Sequence, residues 1–360
     1  MNPRADGREP SGPTVAVGRI STSVRDTLRT TMELAGWRDA IPAGGTVAVK
    51  VNLGWDLFIP GSITSPQVTE ALIEILSERA GRIYVVESDQ VLEDVETAFR
   101  ESGMEDVCRR TGATWLNMSR ADTVRVATPG NRVLRDLEVP RILLASTLVT
   151  VPVMKTHAKT VITGALKNQW GCIDKMRHEY HLVLDDALAD LNSIVRPALS
   201  VMDGTIALEG AGPKSGQPRV MDLVLCSTDP VALDTIQAVA MGIDPESVAH
   251  LKTCAARGIG TTAVSEIRVC GDWPLEPQRP FRQPTHNLVS RIENLLRTSW
   301  SKRLFFNTPL FQLMLVGAKL YYRAWDARLG KPCWATACSH PIYGPTWTHA
   351  AALRAARHSR

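Results

Sequence analysis

Lys155-Thr156-His157 follows the apolar stretch Val151-Pro152-Val153-Met154, and Thr163-Gly164-Ala165-Leu166-Lys167-Asn168-Gln169-Trp170-Gly171-Cys172 comes shortly after it. A mostly apolar strand would deliver Lys155, Thr156 and His157 just past its carboxyl end, where open α/β sheets build their ligand sites. Two amines and an imidazole converging there suit one anionic substrate. Lys155, His157 and Lys167 are therefore the first candidates for catalysis, with Thr156 and Asn168 beside them as substrate-binding residues. Periodicity alone fits a plain loop histidine and a solvated helix lysine equally well.

Further along, Arg177-His178-Glu179-Tyr180-His181 sets two histidines three apart, a spacing that turns both to one side of a helix or turn. His178 and His181 could thus ligate a divalent transition metal, since imidazole suits zinc, nickel, copper or iron; the plainer alternative is that one of them is merely exposed. Asp203-Gly204-Thr205 and Glu209-Gly210-Ala211-Gly212-Pro213-Lys214-Ser215-Gly216 follow the strand-like run Leu199 to Met202. Their glycines let backbone N–H groups come close to an anion, which makes Gly210 and Gly212 candidate substrate contacts. Asp203 and Glu209 could serve as acid, base or partner to a histidine. Neither GxxxxGK[ST] nor GxGxxG is formed, and a surface turn is the alternative. Earlier, Asn52-Leu53-Gly54-Trp55-Asp56 and Thr64-Ser65-Pro66 flank a loop between a strand and a helix. Thr64 or Ser65 is expected to cap that helix, whose N-terminus could also hold a carboxylate or phosphate, so Asn52, Thr64 and Ser65 join the substrate-binding candidates.

The elements that must position these residues alternate between β-branched runs and helical stretches from residue 14 to 273, the rhythm of parallel strands joined by crossover helices. Thr46 to Leu53 reads as a strand, Pro66 to Ala80 as a helix and Ile83 to Val86 as the next strand. Between Ala113 and Val153 the β-rich runs, Thr123 to Ala127 and Ile142 to Val153 among them, have little helix between them and suggest an antiparallel patch. The rhythm resumes with strands at Leu199 to Met202 and Met221 to Cys226, a helix from Pro230 to Met241 capped by Asp229, and a strand at Ile267 to Cys270. The expected fold is α/β, a mostly parallel doubly wound sheet with an antiparallel patch and a helical C-terminal extension, and the strand ending near Val153 should be central in the sheet. The divisions read as a loose tail over 1–12, the α/β domain over 13–273, a Pro-rich linker over 274–284 and a basic helical extension over 285–360.

The chain has 360 residues, 44% hydrophobic and 22% charged, enough for a large core and too apolar for extensive disorder. A formal net charge of +4 is small for this size, which argues against nucleic acid as partner. Seven cysteines without CxxC spacing and without a signal peptide read as reduced cytosolic thiols. No run of eighteen apolar residues occurs. Within the extension, Leu304-Phe305-Phe306 and Leu310 to Val316 lie among Arg303, Lys319, Arg323 and Arg328, with Tyr321, Tyr322 and Trp325 at the boundary. Pro309, Asn307, Gln312 and Lys319 interrupt it, so 304–328 should either pack on the α/β domain or make peripheral contact with a membrane interface.

Taken together, Lys50-Val51-Asn52-Leu53, Thr64-Ser65-Pro66, Lys155-Thr156-His157, Thr163 to Asn168, Asp203-Gly204, Glu209 to Pro213 and Asp229-Pro230-Val231-Ala232-Leu233-Asp234 resemble the family catalogued as domain of unknown function 362, over about residues 45 to 271. Many members carry ferredoxin-like iron–sulfur modules; the CxxCxxCxxxC run is missing here, so a cluster is not expected. A more distant likeness is to the nickel-pincer lactate racemases, in which a histidine precedes the cofactor-bearing lysine by ten residues, the separation of His157 and Lys167. That likeness implies His157 as acid/base, Lys167 as cofactor or substrate anchor and His181, or His178, as metal ligand. The expectation is an enzyme acting on a small or medium anionic metabolite by acid/base or metal-assisted chemistry. The alternative is a non-catalytic binding or electron-transfer module.

Overall fold

The computed structural model describes residues 11–90, 94–173, 180–275, 279–285, 295 and 310–358. Twelve strands are found among them: β1 Thr14–Arg19, β2 Thr46–Lys50, β3 Arg82–Glu87, β4 Thr114–Asn117, β5 Thr123–Ala127, β6 Asp136–Pro140, β7 Thr147–Thr150, β8 Val153–His157, β9 Val161–Ile162, β10 Leu199–Glu209, β11 Gln217–Ser227 and β12 Arg268–Gly271. The main path runs β12-β1-β11-β10-β7-β2-β3-β4. From β10 to β4 every pairing is parallel, as is β1 with β12, whereas β11 runs antiparallel to both β1 and β10. A separate antiparallel pair, β5 with β6, is the patch expected between Ala113 and Val153.

Alternation along the strands sends side chains to two covered faces, as a mostly parallel sheet requires. Val47 and Val49 of β2, Val224 and Cys226 of β11 and Ala16 of β1 pack with the helices Val24–Leu34 and Pro66–Leu76. Val15 and Val17, Leu223 and Leu225 point the other way, toward the helices Pro230–Ala240 and Ala249–Ala256. Asp229 caps Pro230–Ala240, accepting from the amides of Val231 and Ala232, as the sequence suggested.

The feature that builds the site is a split in this sheet. Strand β7 lies between β2 and β10, the interior position expected for it, and the amide of Val151 still donates to the Lys50 carbonyl at 2.8 Å. Beyond Pro152 the chain resumes as β8, which stays with β10 (Asp203 opposite Val153, Leu208 opposite Lys155) and takes the short β9 on its other side. Strand β2 has left by then. Lys155, Thr156 and His157 thus lie inside a strand and not past its end, because the eleven residues of β10 are long enough to pair a second segment. Asp203 is correspondingly inside β10, not in a turn. The run Ile142 to Val153 is also corrected: Arg141–Ala145 is helical, and the strand begins at Thr147.

The extension contains the helix Leu310–Trp325, a π-helical turn Asp326–Gly330 and the helices Trp334–Cys338 and Gly344–His358. Tyr322, Trp334, Tyr343, Trp347 and Ala350 are buried in the same apolar cluster as the Val24–Leu34 and Pro66–Leu76 helices. Packing on the α/β domain, one of the two expectations, is therefore found for this part. Arg303, Leu304-Phe305-Phe306, Asn307 and Pro309 lie outside the described residues. Among those described, no helix is long and apolar enough to cross a membrane.

Candidate functional site

Strand alternation turns Met154 into the apolar core and Lys155 into the split between β2 and β8. The Lys155 side chain is 3% exposed, and its ammonium nitrogen donates to Asn52 Oδ1 at 2.8 Å and to the Ser62 carbonyl at 2.7 Å. Both acceptors are neutral. Asn52 is fixed in turn, its Nδ2 donating to Asn168 Oδ1 at 3.1 Å and its amide to Thr64 Oγ1 at 2.8 Å. Asn168 Nδ2 donates to the Lys50 carbonyl and to Thr150 Oγ1, and Thr64 Oγ1 donates to the Val151 carbonyl. Where β2 and β7 end at the split, the Lys50 and Val151 carbonyls thus gain side-chain donors.

Asn168 is presented by the short helix Ala165–Asn168, whose first amides, of Ala165 and Leu166, donate to the Asp234 carboxylate at 2.6 and 3.0 Å. Gly164 makes this approach feasible: its φ is +133°, and a Cβ there would sit 2.4 Å from Asp234 Oδ1. Burial raises Asp234 to about 8, against the lowering effect of those two amides. Beneath Asn52 lies a fully buried ion pair, Lys50 to Glu87 at 2.9 Å, whose carboxylate also accepts from the amides of Leu53 and Ser88. Gly171 closes over it so tightly that a Cβ would lie 2.6 Å from Glu87 Oε1.

Desolvation pulls Lys155 from 10.5 down to about 7; Lys50 and Lys214 push the same way, while Glu87 and Asp203 oppose them. Asp203, buried in β10, is raised by desolvation, although Thr205 Oγ1, the Thr205 amide and the Ser65 amide donate to its carboxyl. His157 is held well below its ordinary value, first by burial and then by Lys167, His181, Lys155 and Lys159. This lowering favours the neutral imidazole. Its Nδ1 accepts from the amides of Lys159 at 3.0 Å and Thr160 at 3.3 Å, which assigns the proton to Nε2. In this tautomer His157 is a hydrogen-bond donor toward a ligand, not a base.

Other candidates sit nearby or apart. Lys167 lies 5.5 Å from the Trp170 ring centre and electrostatically close to His157. His181 Nδ1 is 3.1 Å from the Lys159 amine, which can only donate, so His181 also flanks this cationic cluster. His178 lies outside the described residues, among which no three His, Cys, Asp or Glu side chains are grouped as a metal would require. Thr156 Oγ1 donates to the Gly210 carbonyl at 3.1 Å, and Gly212 presses its Cα against the Thr156 carbonyl, leaving 2.0 Å for a Cβ. Gly210 and Gly212 therefore brace β8. Ser65 occupies the helix N-cap without a side-chain bond, and its amide instead holds Asp203. Glu209 is not part of the Lys155 group: Arg279, the Arg282 amide and Arg219 surround its carboxylate at 2.7, 3.1 and 3.3 Å and hold it below the usual range. Of the two carboxylates offered by the sequence as acid, base or histidine partner, Glu209 stands apart from Lys155 and Asp203 approaches it.

Sequence reasoning missed the loop between Asn52 and Thr64 as the roof of the site, and the extension that secures it. Trp55 meets Tyr322 edge-on at 4.9 Å between ring centres, and the Lys214 amine lies 3.6 Å above Trp55. Phe58 packs on Trp334, its carbonyl accepts from Arg354 Nη1 at 2.7 Å, and Arg354 is ion-paired with buried Asp326. The signal available was Trp55 in a loop and the aromatic spacing of the extension; nothing local linked them.

Set beside known proteins, the chain is 26% identical over 263 residues to a thylakoid-associated protein of Synechocystis sp., covering 67% of this chain and 77% of that one. The family model of a domain of unknown function, DUF362, matches residues 47–239, which take in Asn52, Lys155, His157, Asn168 and Asp234 together with the split that assembles them. The chain belongs to the DUF362 family.

Proposed function

We propose that this protein is an enzyme acting on a small or medium anionic metabolite by acid/base chemistry, with Lys155 as the titrating group and His157 as a neutral hydrogen-bond donor. The observation that carries this reading is the Lys155 amine, buried at the split with only neutral oxygens as direct partners. A lysine retained in that setting costs stability, and an amine near pH 7 can give or take a proton at physiological pH. His157 Nε2–H would donate to oxygen on which negative charge develops, as a neutral imidazole can. The cations around it, Lys159 and Lys167, favour an anion. A metal-assisted form of the same chemistry would draw on His181 and His178. Asn52, Thr64 and Asn168 orient Lys155, and Thr156 braces its strand. The thylakoid association of the Synechocystis relative makes membrane-proximal anions the first class to screen.

The test is mass spectrometry of small molecules released from purified protein, followed by turnover assays on any anion found. Wild type is expected to retain and convert it, and a folded Lys155→Met variant to lose conversion by at least about a hundredfold, the scale of one acid/base group. Conversion unchanged in Lys155→Met removes Lys155 from the chemistry. Retention without conversion by wild type would favour the non-catalytic binding module instead.

A further inference from the structure

Independently of the Lys155 site, the outer face of the extension carries a second property. From residue 316 to 331 the side chains turned inward are those of Tyr322 and Asp326, both buried, with Tyr321 and Trp325 half-buried against the same core. The exposed positions are 316, 317, 320, 323, 324, 327, 328, 329 and 331, a set that recurs largely every three or four residues and so defines one face. Its large apolar members stand well into solvent: Val316 is 53% exposed, Leu320 60% and Leu329 60%. Arg323, Arg328 and Lys331 are interleaved with them, and the only acidic residue of the stretch, Asp326, is buried against Arg354.

From this face we infer that the protein docks peripherally on an anionic lipid bilayer through Val316, Leu320 and Leu329, with Arg323, Arg328 and Lys331 among the headgroups. Aliphatic tips set among cations, without a carboxylate between them, match the boundary between anionic headgroups and acyl chains. A nucleic acid would supply the charge but no apolar surface for leucines. A second copy of the chain would bring like charges against like, because the exposed charges of the face from Arg323 to Lys331 are all basic. The inner face of the same helix holds Trp55 over the candidate site through Tyr322, so docking here would bring that site close to the bilayer.

The experiment is flotation of the full chain with vesicles of phosphatidylcholine, with and without phosphatidylglycerol, at low and high salt. Two variants are run alongside, Leu320→Glu/Leu329→Glu and Arg323→Glu/Arg328→Glu. The wild type is expected to float with the anionic vesicles, at least tenfold less with neutral ones or at high salt. Each variant should lose at least tenfold in partitioning while its melting temperature stays that of wild type, since all four positions are exposed. Wild type remaining at the bottom of the gradient with anionic vesicles overturns the inference, whatever the variants do. So does flotation of both variants at the wild-type level. Sedimentation velocity on the same samples covers the rival occupant: a dimer lost in the variants, with no flotation of wild type, would assign the face to a second copy.

Discussion

A buried amine whose direct partners are neutral leaves a thermodynamic trace of its own, and Lys155 should show it. Its folded-state value of about 7 lies below the ordinary 10.5, so between those two pH values the unfolded chain binds one proton that the folded chain does not. Stability of the wild type must therefore rise with pH across that window and be insensitive to Lys155 below it. In Lys155→Met the contribution is absent. The stability difference, variant minus wild type, is expected to be most favourable to the variant below about pH 7 and to shrink toward pH 10.5. At about 1.4 kcal/mol per unit the change is on the order of a few kcal/mol. Unpairing Asn52 Oδ1 and the Ser62 carbonyl adds an offset to the variant, so the slope is the diagnostic quantity. Denaturant unfolding of both proteins at pH 6, 8 and 10 measures it, and parallel curves would mean that Lys155 titrates normally.

At the scale of elements, the roof loop over the site is secured by parts distant in sequence. Arg354 bonds the Phe58 carbonyl and is paired with Asp326, and both side chains are almost wholly buried. Replacing Arg354 by Met strands a buried carboxylate and is expected to cost roughly 3–5 kcal/mol, whereas Arg354→Met/Asp326→Leu should recover much of that by removing both charges. Chemical denaturation of the single and double variants checks the order; a single variant as stable as the double would mean that the pair is solvated. These dependencies mark the limit of what was legible in the sequence. Lys155 and His157 stood out because an apolar β-branched run leads to them, and the α/β rhythm followed from local periodicity. The split at Pro152 did not, because which strand leaves and which continues is decided by the length of β10, far along the chain. Gly204 suggested a turn after Met202; in the structure a Cβ there would lie 2.9 Å from the Leu223 carbonyl, so the glycine serves close approach of β11 at an irregular register. Glu209 drew notice as a carboxylate leading a glycine-rich stretch, and its partners Arg279 and Arg282 lie in a proline-rich stretch whose local pattern gave no hint of pairing.

For the whole molecule, the family match over 47–239 and the extension are not separable layers. Tyr322, Trp334, Tyr343 and Trp347 complete an apolar cluster that already holds Trp55 and Phe58 from the roof loop and reaches the Val24–Leu34 and Pro66–Leu76 helices. Tyr343 also donates its hydroxyl to Asp222 of β11 at 2.8 Å, and Arg357 pairs with Glu101 at 2.8 Å, so the extension is attached at several points across the domain. Removing it would uncover the apolar surface these rings cover. Each buried aromatic contributes about 2–3 kcal/mol or more, and total stabilities of domains are only about 5–15 kcal/mol. A chain ending after Pro284, which keeps Arg279 and Arg282 on Glu209, is therefore expected to aggregate or to unfold well below the full-length midpoint. Loss of the Trp55 and Phe58 contacts should also release the roof loop. Hydrogen exchange on any soluble fraction would report this as faster exchange of the Ser62 and Thr64 amides, which the intact loop bonds to Ile59 and Asn52. A truncated chain that stays soluble, melts with the full-length protein and protects those amides equally would show that the α/β domain closes its own site, and that the extension is needed only for what lies outside it.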